Sequence, residues 1–332
     1  MPELRKDYVT DTWVVFAPDR SQRPIETRGA VSLADSPDAC PFCPGHEYMT
    51  PPEVLVYPTN TSDGSRWLVR CVPNRFPALT LDGEVKAQGD GLFRSLAGVG
   101  AHEVIVETPD HAKDFSALSK RQIQEVLRAY AARTADLAQD PRLAYILIFK
   151  NHGADAGASL FHAHSQLIGT PMVPRRIQDE LRGAETFQAE RGTCAYDRIL
   201  QEELEATDRI ALANEDFVAL CPYASRFPFE IWILPRRHRP HFEDITAKER
   251  RALAGLLKDT LGRLRTLFQD PSFNWYIHTA PSDGGDYPYY HWHLEITPRL
   301  SKRAGFERGT GFYINSVPPE DAAQLLRQAG EA

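Results

Sequence analysis

With 332 residues, 42% of them hydrophobic and 25% charged, the chain has the composition of an ordinary globular protein and enough material for one large core or two medium ones. Its 45 acidic and 38 basic residues give a formal charge of −7, which leaves no electrostatic footprint for sequence-independent nucleic-acid binding. The start MPELRKDYVTDTW has no signal-peptide apolar region and no run is long and apolar enough for a membrane span, so a cytoplasmic location is expected and a membrane partner is not.

In chain order, TWVVFAP, VLVYP and WLVRCVPN read as early strands that enlarge the first sheet. Next come the strand EVIVETPDH with a His-bearing loop, a helix from about Ser119 to Gln139, and an Asp-Pro turn leading into the strand AYILIF. A loop and the HxH strand HAHSQLIGTP complete the set. Ile123, Val126, Leu127 and Tyr130 follow the helical period. The second half repeats this order, with FEIWILPRRHRPHF, a helix from about Ala247 to Gln269 carrying Leu253, Leu256, Leu257 and Leu261, the segment DPSFNWYIHTA, a loop, and HWHLEITPR. The expected fold is therefore α+β, two duplicated units of mostly antiparallel sheet with packed helices. The units are residues 1–174 and 175–332, with the boundary in the charged, Gly-containing segment from Arg175 to Thr193.

The densest chemistry lies in GASLFHAHSQ. In a strand, alternate side chains share a face, so His162, His164 and Gln166 project together at steps of roughly 6–7 Å. An imidazole on a rigid strand serves as metal ligand, general base or nucleophile, and the small residues before it let a phosphate approach the backbone. Five cysteines, at 40, 43, 71, 194 and 221, are too few and too irregular for a secreted disulfide framework. The spacing of Cys40 and Cys43 in CPFCPGHE is instead that of a zinc knuckle. Aligning the repeats makes His111 equivalent to His238 and His162 to His291, while Cys194 and Asp197 stand where Cys40 and Cys43 stand. Two parallel ligand sets for Zn2+ follow: Cys40, Cys43, His111, His162, and Cys194, Asp197, His238, His291. A competing second set is Glu180, His278, His291 and His293, and spacing does not choose between the two.

Taken together, DTWVVFAPDRSQRP, CPFC, VPNRFPAL, ETPDH, FKNHGADAGASLFHAHSQ, PFEIWILPRRH, YYHWHLEITPRL and GFERGTGFYINSVPPEDAA resemble galactose-1-phosphate uridylyltransferase and its relative ADP-glucose phosphorylase, in the transferase branch of the histidine-triad superfamily, nearly end to end. The resemblance implies that His164 is the nucleophile and that Gln166 hydrogen-bonds the transferred phosphoryl group with Ser159 nearby. It also implies that His162 joins Cys40, Cys43 and His111 around zinc. Arg20, Arg23, Asn74, Arg75, Phe76 and Asn151 match nucleotide-pocket positions. Glu307 matches a carboxylate that binds hexose hydroxyls and reaches the partner's site in the family homodimer. The family's HPH is HAH here, its tyrosine before that glutamate is Phe306, and its second CxxC is reduced to Cys194 and Asp197.

The implied activity is ping-pong exchange between a nucleotide sugar and a hexose 1-phosphate through a nucleotidyl-histidine. A neutral imidazole attacks the α-phosphorus without deprotonation. Glutamine at 166 in place of the histidine of hydrolytic relatives cannot shuttle a proton, which favours transfer over hydrolysis. Two enzymes fit: a UDP-glucose–hexose-1-phosphate uridylyltransferase of galactose metabolism, and an ADP-glucose or dinucleoside-polyphosphate phosphorylase with orthophosphate as acceptor. The set Glu180, His278, His291 and His293 resembles the uridylyltransferase pattern and tilts the expectation toward the first. A non-catalytic nucleotide-binding protein is the reading of a different class.

Overall fold

A computed structural model of the chain describes residues 2–6, 13–16, 36–59, 67–89 and 91–330. The strands in chain order are β1 (Glu3–Lys6), β2 (Trp13–Phe16), β3 (Leu55–Pro58), β4 (Trp67–Pro73), β5 (Ala87–Gln88), β6 (Ser95–Ala97), β7 (Ala101–Val106), β8 (Tyr145–His152), β9 (His164–Thr170), β10 (Ile210–Ala213), β11 (Phe217–Leu220), β12 (Ile231–Pro235), β13 (Phe273–His278) and β14 (His293–Pro298). The α-helices are α1 (Lys120–Leu137), α2 (Arg175–Arg191), α3 (Ala195–Ala206), α4 (Ala247–Phe268), α5 (Gly305–Thr310) and α6 (Pro319–Gln328).

Ten strands form one sheet in the order β10-β11-β12-β14-β13-β8-β9-β7-β4-β3. Every ladder between its strands is antiparallel. The order is that of a pseudo-twofold: β3, β4, β7, β9 and β8 of the first half correspond to β10, β11, β12, β14 and β13 of the second. The two innermost strands pair across the centre, from Phe273↔His152 to Ile277↔Ile148. The halves thus share one sheet.

One face carries α1, α4 and α6 over a single apolar cluster that runs through both halves, from Ile105, Ile148 and Leu167 to Ile233, Ile277 and Leu294. Leu253, Leu257 and Leu261 on α4 are at most 2% exposed, and burial of each contributes about 1.5–3 kcal/mol. Both long helices start where their capping residues stop the preceding chain. Ser119 accepts from the Gln122 N–H, and Thr246 forms a reciprocal capping box with Glu249. The opposite face is covered differently in the two halves. Cys40, Phe42, Cys43 and Trp67 lie over Val72, Val104 and Val106 in the first, and α2 and α3 lie over Val218, Leu220 and Leu234 in the second.

Three expectations change. The TWVVFAP strand, β2, does not enlarge the main sheet, but pairs with β1 in a separate sheet of order β2-β1-β6-β5. The segment from Arg175 to Thr193 is mostly the helix α2. Its Ile177, Leu181 and Ala184 recur at three- and four-residue intervals and are buried, a stripe masked in the sequence by the charges on its outer face. The HxH strand β9 begins at His164, so His162 sits just before it in the incoming loop.

Candidate active site

The loop from β8 to β9 turns on Gly153 and Gly157, both at positive φ, and a side chain at Gly153 would strike Ser272 Oγ at 2.1 Å. It delivers His164 to the wall of a pocket of about 370 Å3. The pocket is lined by Phe42, Met49, Pro51, Val72, Pro73, Phe76, Val104 and Leu160, with Asn74, Arg75, Ser159, His164 and Gln166 as polar groups among them. An apolar slot with a few convergent polar groups is the general form of a small-molecule site.

His164 Nδ1 lies 2.9 Å from the carbonyl oxygen of His162. A carbonyl only accepts, so Nδ1 carries the proton and Nε2 carries the lone pair. An imidazole held in this tautomer is set to attack an electrophile, and the same carbonyl stabilises the ring as it becomes cationic. Gln166, two residues on, shares the face. Its Oε1 lies 2.9 Å from His102 Nε2, and His102 Nδ1 accepts from the Ala78 N–H at 2.9 Å. That acceptance fixes the proton of His102 on Nε2, so Oε1 of Gln166 is the acceptor and its NH2 is the end available to a phosphoryl oxygen. Sequence reasoning missed His102. Its signal was faint, since it lies in the strand GAHEVIV opposite Ile168, and only its diagonal contact with Gln166 across the β7–β9 ladder gives it a role.

The first ligand set comes together. Cys40, Cys43, His111 and His162 place their ligand atoms within 4.8 Å of one another. Cys43 Sγ is 3.3 Å from His111 Nδ1 and 3.6 Å from His162 Nδ1, and Cys40 Sγ is 3.6 Å from His162 Nδ1. His162 Nε2 donates to the Thr108 carbonyl at 2.7 Å, which turns the Nδ1 lone pair toward the sulfurs and is the outer bond usual for a metal-bound imidazole. Without a cation, burial and the adjacent Cys40 push the Cys43 thiol up to about 12, and burial pushes His162 down to about 4 against the pull of the Thr108 carbonyl. Two sulfurs and two imidazole nitrogens converging in a largely buried space fit a tetrahedral soft-to-borderline cation. Phe42 bridges the two functions, its ring 6.1 Å from His162 and 5.3 Å from His164.

In the second half the HWH histidines part company. His291 Nδ1 lies 2.8 Å from Asp197 Oδ1, and His238 Nδ1 lies 2.9 Å from Asp197 Oδ2. Cys194, Asp197 and His238 group within 4.8 Å, while Cys194 Sγ donates to the Tyr289 carbonyl at 3.1 Å. Contact with Asp197 pushes His238 up to about 10, and although burial opposes it, the two imidazoles hold the Asp197 carboxyl well below the usual carboxylate range. His293 joins a different group, with Glu180 and His278. His278 Nδ1 is 2.9 Å from Glu180 Oε2, and His293 Nε2, 1% exposed at its side chain, makes no hydrogen bond among the described residues. The competing set is therefore corrected: His291 does not stand with Glu180, His278 and His293, because one residue separates it from His293 and their rings serve neighbouring clusters.

The remaining expected residues divide. Asn74, Arg75, Phe76 and Ser159 line the pocket. The Asn74 side chain accepts from the Phe76 N–H at 2.9 Å and so shapes the turn. Asn151 is outside the pocket wall, its Oδ1 accepting from Asn274 at 2.7 Å. Glu307 is likewise outside it, accepting from the Ala304 N–H at 2.8 Å at the start of α5. Arg20 and Arg23 lie outside the described residues. No helix among the described residues is long and apolar enough to cross a membrane.

Residues 1–174 match the family model described as galactose-1-phosphate uridyl transferase, N-terminal domain, and residues 180–309 match the C-terminal domain of the same family. The chain is 38% identical over 335 residues to ADP-glucose phosphorylase of Arabidopsis thaliana, covering 98% of this chain and 93% of that one. It is 31% identical over 337 residues to galactose-1-phosphate uridylyltransferase of Thermotoga maritima, covering 99% and 98%. Among solved structures, the A. thaliana ADP-glucose phosphorylase with bound ADP-glucose aligns with a TM-score of 0.78 at 35% identity, covering 99% of this chain and 98% of that one. A uridylyltransferase aligns with a TM-score of 0.82 at 30% identity over the same shares. The chain belongs to the galactose-1-phosphate uridyl transferase family and is a nucleotidyltransferase enzyme.

Proposed function

We propose that this family member moves a nucleoside monophosphate from a nucleoside-diphosphate hexose to a phosphate-bearing acceptor through a covalent bond to His164. The observation that carries the reading is the tautomer of His164: Nδ1–H on the His162 carbonyl, Nε2 on the wall of an apolar, nucleotide-sized pocket. In the first step Nε2 attacks the α-phosphorus, the bond from phosphorus to the bridging oxygen breaks, and the hexose 1-phosphate leaves with the electron pair. In the second step an oxygen of the acceptor phosphate attacks the same phosphorus, the P–N bond breaks, and the neutral imidazole returns. Gln166 donates to a non-bridging oxygen in both steps, and as an amide it does not deliver a water proton.

The donor is adenylyl from ADP-glucose and the acceptor orthophosphate. Similarity to ADP-glucose phosphorylase over nearly the whole chain supports this, and so does the grouping of Glu180, His278 and His293 without His291, a partial form of the set that tilted the sequence toward uridylyl transfer. Exchange between UDP-glucose and a hexose 1-phosphate, as in galactose metabolism, is the second reading, supported by the alignment with a uridylyltransferase. Arg20 and Arg23 serve the nucleotide, and Glu307 serves the hexose from a partner in a homodimer. The halves 1–174 and 175–332 are products of duplication. All five cysteines are free thiols, which supports the cytoplasm as the compartment.

Cys40, Cys43, His111 and His162 hold Zn2+, which supplies structural cross-linking to the loop that carries the nucleophile. The test is to incubate the pure protein with ADP-glucose and, separately, UDP-glucose, and read nucleotide mass on the peptide bearing His164. Faster adenylyl labelling supports the phosphorylase, faster uridylyl labelling the second reading, and a protein that takes neither is a binding protein.

A further inference from the structure

On the face of β9 opposite the pocket lies buried charge that the chemistry above leaves unused. Lys150 is 2% exposed, Ser165 1%, and Glu107 and Tyr130 0%. Lys150 Nζ donates to Glu107 Oε2 at 2.5 Å and to the backbone carbonyl of His164 at 2.9 Å. Glu107 Oε1 accepts from the Ser165 hydroxyl and, at 3.0 Å, from the Tyr130 hydroxyl. A buried ion pair commonly returns less than its desolvation costs, and apolar side chains of like volume often do as well.

The second half provides the control. Ser165 faces Ile105 as Leu294 faces Ile233, so Leu294 is its counterpart, and the strand beside it carries Ile277 where the first half has Lys150. Two residues beyond Ile105 is Glu107, and two beyond Ile233 is Pro235. Counted from the helix caps Ser119 and Thr246, Tyr130 corresponds to Leu257. Pro235, Leu257, Ile277 and Leu294 are apolar and buried. The architecture is thus built without these charges wherever no reactive imidazole is needed.

The charges sit where the ladders of the two halves differ. In the second half β13 pairs with β14 as far as His278↔His293, so strand pairing reaches the HxH histidine itself. In the first, the β8–β9 pairs end at Phe149↔Gln166, and His164 is paired on its other side, with Val106 of β7. There the donor to the His164 carbonyl is the Lys150 ammonium.

Building on the role proposed for His164, we infer that Glu107, Tyr130, Lys150 and Ser165 are positioning residues: a buried clamp in which Lys150 bonds the His164 carbonyl and holds the nucleophile's backbone, hence the aim of its Nε2. The test compares wild type with the quadruple variant Glu107→Leu, Tyr130→Phe, Lys150→Met, Ser165→Ala, which removes the clamp without leaving a single buried charge unpaired. Thermal midpoint and bound zinc, expected near wild type, establish that the variant folds. Single-turnover labelling of His164 is expected to fall on the order of 10²-fold, the scale of a misplacement near 1 Å, with KM within about threefold because the pocket is untouched. The 15N shifts of His164 are expected to report one Nδ1–H tautomer in wild type and exchange between tautomers in the variant, a readout independent of which nucleotide, if any, is transferred. Labelling at the wild-type rate, or an unchanged single tautomer in the folded variant, overturns the clamp. Absence of labelling in wild type overturns the proposed function, and the tautomer measurement still decides the clamp.

Discussion

Strands β9 and β14 occupy equivalent places in the pseudo-twofold sheet and both open on an HxH histidine whose Nδ1 donates to the carbonyl two residues earlier, at 2.9 Å for His164 and 3.1 Å for His293. What differs is the cover. Over β9 the cysteine knuckle and the residues from 49 to 51 stand off, leaving the pocket. Over β14, α2 and α3 close in, with Tyr196 and Trp232 rings 4.9 and 5.2 Å from His293. The counterpart of Gln166 is Glu295, which is 1% exposed and bound by Arg176 at 2.8 Å and by Arg226. One strand design therefore lines a pocket where its face is open and forms a packed cluster where it is filled.

The largest effect is expected from emptying the reactive position. His164→Gly removes the attacking atom and little core volume, so nucleotide exchange falls by several orders of magnitude with the circular dichroism spectrum unchanged, whereas His293→Gly lowers the thermal midpoint and leaves labelling of His164 measurable. Exchange near the wild-type rate in the first variant breaks the comparison at its root. Next, Cys43→Ser is expected to lose most bound zinc, and with it part of the roughly 10 kcal/mol that structural zinc supplies to small peptides. Full metal content by mass spectrometry after replacing both Cys40 and Cys43 rules out that site.

Glu295→Gln copies the first half's glutamine into the second. It removes one shared carboxylate from Arg176 and Arg226, which keep Glu180 and Glu230 as partners, so a loss of about 1–3 kcal/mol in denaturant unfolding is expected, with no second labelled histidine. Asp197→Cys restores the missing thiol beside Cys194, His238 and His291. Zinc per chain is then expected to rise by up to one, measured after dialysis, and no rise marks the aspartate cluster as closed by its own hydrogen bonds. The smallest effect is His102→Asn, which frees the Gln166 amide to turn. It is expected to lower the labelling rate about tenfold, the loss of roughly one oriented hydrogen bond, while KM stays nearly constant.

Much of the site was legible in the order of residues because its chemistry is local. The pair Cys40 and Cys43, and the alternation of His162, His164 and Gln166, are spacings that turn or strand geometry converts directly into convergence. The repeat was legible as well, since helical and strand periods recur in the same order in both halves. His102 and the Glu107–Lys150 pair were not, because each acts through a partner far away in sequence. The two helices α2 and α3 were hidden by charged outer faces.

By itself, then, the order of residues determined an α+β fold, a repeated order of elements, and a Cys40, Cys43, His111 and His162 cluster two residues from His164. Only the tertiary structure decided that the halves share a single sheet, that His291 and His293 serve different clusters, and that one HxH face is open while its twin is plugged. The reason is physical: periodicity reports which way a side chain points, whereas occupancy of a face depends on elements brought to it from elsewhere in the chain.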